Sequence, residues 1–227
     1  MMVVIESVLD SQDLAEIRGA LDAAHWEAGN STVRGAGRDR KVNHQLKDGT
    51  EPALSLGDRI VQKLWTNPLF ISAALPRQVY PPRFNRYGVG ETYGAHVDAA
   101  LMRPASGGDM VRTDLSITVF LTDPADYDGG ELEIEGNYGA QAVKLAAGDA
   151  VLYPATSLHR VAPVARGARY ASFFWIESLV QDLGERTLLF ELDQTIQRLT
   201  AELGPNHDEL PSLQAVYHNL LRRWVRT

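Results

Sequence analysis

From Val79 to Ser178 the chain is written in short apolar runs separated by Gly, Pro and Asp, and no other stretch limits the fold as much. Short alternating runs bounded by turn residues are strands. Ala150-Val-Leu-Tyr153, launched by Gly148 and Asp149, is one, and Arg169-Tyr-Ala-Ser-Phe-Phe-Trp-Ile-Glu177 is another. Successive strands without helices between them pair antiparallel and bury their apolar faces between two sheets. The expected fold is therefore mainly β with flanking helices, built on a double-stranded β-helix, or jelly roll, over residues 79–178.

The flanks read as helix. Asp10-Ser11 precede Leu14, Ile17 and Leu21 at helical spacing, which predicts a capped amphipathic helix. A second is expected from about Pro52 to Trp65, carrying Ile60, Val61 and Leu64, after which Pro68, Pro76 and Pro81-Pro82 punctuate the approach to the β region. Beyond Ser178, Leu188, Leu189, Leu192, Ile196 and Leu199 form one apolar stripe; after Gly204-Pro205, Leu213, Val216, Leu220 and Trp224 form another. The expected division is a helical and mixed segment over 1–78 packed on the core, the core over 79–178, and a helical appendage over 179–227. The appendage must bury its stripes on the barrel or against a second subunit, so a homo-oligomer is one expected state.

Composition narrows the function classes. With 227 residues, 44% of them hydrophobic, the chain can bury a full core. It has no cysteine, which excludes disulfides and thiolate metal sites and fits a reducing cytoplasm. Met1-Met-Val-Val-Ile5 runs straight into Glu6, so neither a signal peptide nor a membrane span is expected. A net charge of −7 argues against a general nucleic-acid partner.

Chemistry concentrates in Tyr93-Gly-Ala-His-Val-Asp98 and Tyr153-Pro-Ala-Thr-Ser-Leu-His159. In an extended strand residues i and i+2 share a face, so His96 and Asp98 aim at one point while Val97 packs the other way. His159, following its own strand, is the natural third ligand. Two imidazoles and one carboxylate with open positions are the donor set of a non-heme Fe(II) oxygenase. Arg169, ten residues after His159, opens an apolar strand. A buried arginine there needs an anion, and its planar fork matches the far carboxylate of a dicarboxylate that chelates the metal at its other end. Glu131 and Glu133 alternate with Leu132 and Ile134 and read as a solvated strand face; His25, His44, His207 and His218 lie outside these motifs.

On these residues the chain resembles the Fe(II)/2-oxoglutarate-dependent dioxygenases, and within them the bacterial PKHD-type, prolyl/lysyl-hydroxylase-like branch. The matching stretches are Phe84 to Tyr93, His96-Val-Asp98, Arg112 to Leu121, Gly129-Gly-Glu-Leu132, Gly148-Asp149, His159-Arg-Val161 and Arg169 to Ser178. The resemblance implies Fe(2+) held by His96, Asp98 and His159, and 2-oxoglutarate held by Arg169 and by the phenol of Tyr87. It also implies dioxygen, L-ascorbate as reductant, and hydroxylation of an aliphatic carbon in a small-molecule or peptidyl substrate, with succinate and CO2 as co-products. For Tyr87 a packing role in the barrel wall is the alternative. Relatives outside the branch carry Arg-x-Ser, whereas Ala171 stands here on the face of Arg169, and Ser172 points to the opposite one.

Two other readings stay open: a binding or sensing module without turnover, and a cupin-like enzyme that does not use 2-oxoglutarate. The segment Leu101 to Thr113, with Pro104, Gly107, Gly108, Arg103 and Arg112, has the composition of a mobile loop and not of a strand, and reads either as a lid or as a hairpin connection. The basic stretch Arg34 to Lys41, with Arg38 and Arg40, is a further candidate for contact with substrate.

Overall fold

A computed structural model describes residues 1–32, 40–105, 107–136 and 139–226. Its centre is two facing antiparallel sheets, neither closed on itself. The larger has eight strands, running Val3–Ile5, Ala150–Pro154, Leu115–Phe120, Arg169–Ser178, Arg83–Tyr87, His44–Gln45 and Glu27–Ala28, with Pro76–Val79 also paired to Arg169–Ser178. The smaller runs Gly139–Val143, Leu132–Gly136, His159–Val161, Thr92–His96 and Lys41–Val42. This is the jelly-roll architecture expected from the strand pattern.

Alternation decides which side chains meet between the sheets. Along Leu115–Phe120 every residue is buried, but Leu115, Ile117 and Val119 join the outer core while Phe120 joins the layer between the sheets. Tyr87, Leu132, Ile134, Val151, Tyr153 and Val161 complete that inner layer. The outer face of the large sheet is covered by α1 (Ser11–Ala23), α2 (Ala53–Trp65) and α3 (Pro68–Ala74), which contribute Ile17, Leu21, Ile60, Leu64 and Phe70. Asp10 caps α1 in a reciprocal capping box with Asp13, as its position predicts.

Several expectations need correction. Pro68 does not merely punctuate; it opens α3 at a position where its missing N–H costs nothing, and Asn67 caps that helix by accepting from the Phe70 N–H. In the C-terminal pair, α4 (Leu183–Leu203) and α5 (Leu210–Trp224), Leu188 and Val216 face outward, 56% and 50% exposed. The residues that pack beneath α5 are Tyr217, Leu220, Leu221 and Trp224, against Leu75, Val180 and Leu189. The stripe is centred one position later than its most apolar members suggest, because the aromatic ring of Tyr217 covers more area than Val216. The segment Leu101 to Thr113 is not all loop: Leu101–Met102 pairs with Val111–Arg112 as a short hairpin. Its base is tied by the Thr113 hydroxyl donating to the Ala99 carbonyl at 2.6 Å and by Arg112 gripping Asp114 at 2.8 Å. Arg34 and Arg38 lie outside the described residues. Among the described residues no helix is long and apolar enough to cross a membrane.

Candidate metal centre

The strand Thr92–His96 and the strand His159–Val161 lie side by side, with His159 directly opposite His96. The regular strand stops at His96, so Asp98 belongs to the irregular connection that follows. Val97 does not pack away as expected; it is 51% exposed and lines the cavity mouth. Asp98 reaches the two imidazoles nonetheless. One ligand atom from each of His96, Asp98 and His159 lies within 4.8 Å of the others, and these three form a group able to hold a metal ion among the described residues. The Asp98 Oδ2 and His159 Nε2 atoms are 3.8 Å apart, and the imidazole centroids are separated by 4.3 Å.

Local hydrogen bonds prepare these side chains. His96 Nδ1 lies 2.9 Å from the Gly94 carbonyl and His159 Nδ1 lies 3.0 Å from the Ser157 carbonyl. A carbonyl only accepts, so each Nδ1 carries its hydrogen and each Nε2 keeps a lone pair for a metal. Burial first, and then the neighbouring His159, push the His96 pKa down to about 4, which keeps its ring neutral as a ligand must be. The Ser116 hydroxyl donates to Asp98 Oδ2 at 2.5 Å and fixes the carboxylate, while Tyr93 stacks on His96 at 3.7 Å between centroids.

A cavity of about 480 Å³ opens on this cluster, and Tyr87 and Arg169 line it as well. Arg169 is 1% exposed, and its Nε and Nη1 atoms are buried without a hydrogen-bond partner among the described residues. A cation so placed, with vacant planar donors, fits a bound carboxylate. Tyr87 sits directly across the strand pair from Arg169, its ring centroid 5.5 Å from the guanidinium carbon. Burial drives the Tyr87 pKa up, against the lowering pull of Arg169, so its phenol remains a donor. Ala171 shares the face of Arg169 as read from alternation, and Ser172 is buried on the opposite side.

Sequence spacing points to His96, Asp98, His159 and Arg169, and the family resemblance adds Tyr87; all five line one cavity. It misses Ser116. The signal for Ser116 was its place with Thr118 on one face of a strand whose other face is Leu115, Ile117 and Val119. Lys41, the last residue of the basic stretch read as a candidate for contact with substrate, is 5% exposed and lines the cavity. The remaining candidates stand apart. Glu133 pairs with Arg160 at 2.7 Å on the outer side, and His44 contacts Glu91 at 3.0 Å.

Comparison with known proteins supplies the rest. The model of the 2OG-Fe(II) oxygenase superfamily matches residues 82–177, and that of the PKHD-type hydroxylase C-terminal domain matches residues 184–225. A PKHD-type hydroxylase of Acidovorax ebreus is 59% identical over 226 residues, covering 100% of both chains. PKHD-type hydroxylase PiuC of Pseudomonas aeruginosa is 51% identical over 224 residues, covering 99% of each. Among solved structures, the viral collagen prolyl hydroxylase of Paramecium bursaria chlorella virus in its 2OG complex aligns with a TM-score of 0.54 at 16% identity, over 78% of this chain and 96% of that one. A prolyl hydroxylase of Trichoplax adhaerens in complex with a hypoxia inducible factor peptide aligns with a TM-score of 0.54 at 16% identity, over 82% and 86%. The structural likenesses carry the fold, and the full-length relatives carry more: this chain belongs to the PKHD-type hydroxylases, which are Fe(II)- and 2-oxoglutarate-dependent dioxygenases.

Proposed function

We propose that His96, Asp98 and His159 hold the Fe(II), that Arg169 holds the distal carboxylate of 2-oxoglutarate with Tyr87 as second donor, and that the enzyme hydroxylates an aliphatic C–H bond. The observation that carries this reading is the convergence of three metal-ligand atoms in the cavity where a buried arginine keeps vacant donors. When bound, iron and the 2-oxo acid supply activation of dioxygen. The chain's own residues do the positioning. The Gly94 and Ser157 carbonyls set the imidazole tautomers, Ser116 orients Asp98, and Leu132, Val161 and Phe174 wall the cavity with apolar surface that limits water.

Residues 79–178 carry this chemistry in our reading, with 1–78 and 179–227 packed against them. L-ascorbate serves as reductant, the cytoplasm is the compartment, and the substrate is a small molecule or a peptidyl side chain. A second copy docking on α4 and α5 fits the outward-facing Leu188, Leu203 and Val216. The deciding experiment is anaerobic addition of Fe(II) and 2-oxoglutarate. A visible charge-transfer band that disappears in Asp98→Ala, together with turnover, is the expected result. Wild-type turnover by Asp98→Ala with stoichiometric iron would overturn the ligand assignment.

A further inference from the structure

The three candidate ligands are not held alike. His96 and His159 stand opposite each other on paired strands, so the ladder fixes both backbones. Asp98 lies past the end of its strand, and among the described residues no strand pairs with 97–100. Val97, on the way there, is exposed and adds little packing. The far end of this connection is pinned instead by Thr113. Its hydroxyl donates to the Ala99 carbonyl at 2.6 Å and its N–H to the Ala100 carbonyl at 3.1 Å. Between the ladder at His96 and the clamp at Ala99, only Val97 and Asp98 are left.

The clamp is itself firmly seated. Thr113 is buried, and its β-branched side chain is stiff, so the hydroxyl keeps one direction. Asp114, the next residue, donates its N–H to the Ile176 carbonyl and accepts from the Ala155 N–H, each at 3.1 Å. Its carboxylate accepts from the Ser178 N–H and from two Arg112 nitrogens, all at 2.8 Å. From Leu115 the chain enters the large sheet, between Ala150–Pro154 and Arg169–Ser178. Thr113 therefore carries the position of an interior strand to a connection that has no ladder of its own.

We infer that Thr113 is a positioning residue for the metal: it holds the backbone on the far side of Asp98, so that this carboxylate faces His96 and His159 before a metal arrives. This rests on the ligand assignment proposed above. Its work differs from that of Ser116, which restrains the tip of the carboxylate. With the clamp lost, the metal has to order the segment as it binds, and fixing one residue's backbone is worth about tenfold in an equilibrium constant. Ala99 and Ala100 are exposed, so water replaces the lost hydroxyl and the fold gives up little.

Thr113→Val keeps the shape and the backbone N–H and removes only the hydroxyl. Fe(II) is titrated anaerobically into the full chain, and the charge-transfer band with 2-oxoglutarate is recorded at saturating Fe(II). The expected result is Fe(II) affinity about tenfold weaker and a displaced band, with both restored in Thr113→Ser. Thr122→Val is the control, a buried threonine past the other end of the same strand whose hydroxyl oxygen accepts from the Tyr170 N–H and from Arg18. It should lower the melting temperature and leave affinity and band alone. Wild-type affinity in Thr113→Val, no recovery in Thr113→Ser, or an equal loss in Thr122→Val would each overturn the inference. Should Thr113→Val not fold, hydrogen exchange of the Thr113 amide in the metal-free wild type decides: slow exchange supports a clamp formed in advance, and free exchange overturns it. A wild type that takes up no Fe(II) sinks the ligand assignment itself, whereas Fe(II) binding indifferent to Thr113→Val sinks only the role of Thr113.

Discussion

Ser116 is a small side chain with a large predicted effect. Its 2.5 Å hydrogen bond restrains Asp98, the one carboxylate of the triad, and partners of this kind are typically worth about 10–100-fold in metal affinity. Ser116→Ala should therefore weaken Fe(II) binding by about that factor in an anaerobic titration while the fold persists; unchanged affinity would reduce Ser116 to packing. Arg169→Gln should act on the other partner. Fe(II) affinity should stay near wild type while the 2-oxoglutarate requirement rises steeply, since about 1.5–3 kcal/mol of charge-assisted contact is lost. His96, Asp98, His159 and Arg169 were legible because their order and spacing are coupled to strand alternation. Ser116 was not, because it acts on Asp98 from a different strand, and nothing in a serine by itself announces burial.

Among elements, the hairpin Leu101–Met102 with Val111–Arg112 borders the cavity, with Met102 part of the lining. The connection between its strands carries Arg103, whose guanidinium donates to the Gly108 carbonyl at 3.1 Å. Shortening Pro104 to Asp109 should leave Fe(II) and 2-oxoglutarate binding intact but raise succinate formed per hydroxylated product, because the substrate carbon would be less firmly placed. An unchanged ratio would make the hairpin a connector. The sequence described most elements well where one face is wet and the other dry, as in α1, with its acidic cap and buried Ile17 and Leu21. It described them poorly where two signals compete. Pro68 reads as a breaker unless Asn67 is weighed as a cap, and the glycines and proline of residues 101–113 obscure two residue pairs that form a short hairpin above a base tied by Thr113 and Arg112.

At the scale of the molecule, α4 and α5 pack on each other and against the end of α3 through Leu75, Val180 and Leu189, while Leu188 and Val216 point away. If a second copy covers them, Leu188→Glu combined with Val216→Glu should convert a dimer to a monomer by light scattering without loss of the charge-transfer band; a wild type already monomeric at all concentrations would remove that proposal. The jelly roll was foreseeable as a whole because its strands are consecutive, whereas the strands added from residues 3–5, 27–28, 41–42 and 44–45 are too short to show periodicity. The shortest of them matter more than their length suggests. Thr92–His96, which presents His96, is hydrogen-bonded on one side to His159–Val161 and on the other to Lys41–Val42, so the first segment of the chain acts as a hem sewn along its free border. Cut that hem, as by expressing residues 79–178 alone, and the row of backbone N–H and C=O groups beside the ligands becomes an adhesive lip open to any passing strand. Such a fragment is a candidate for filaments, not for an enzyme of reduced size.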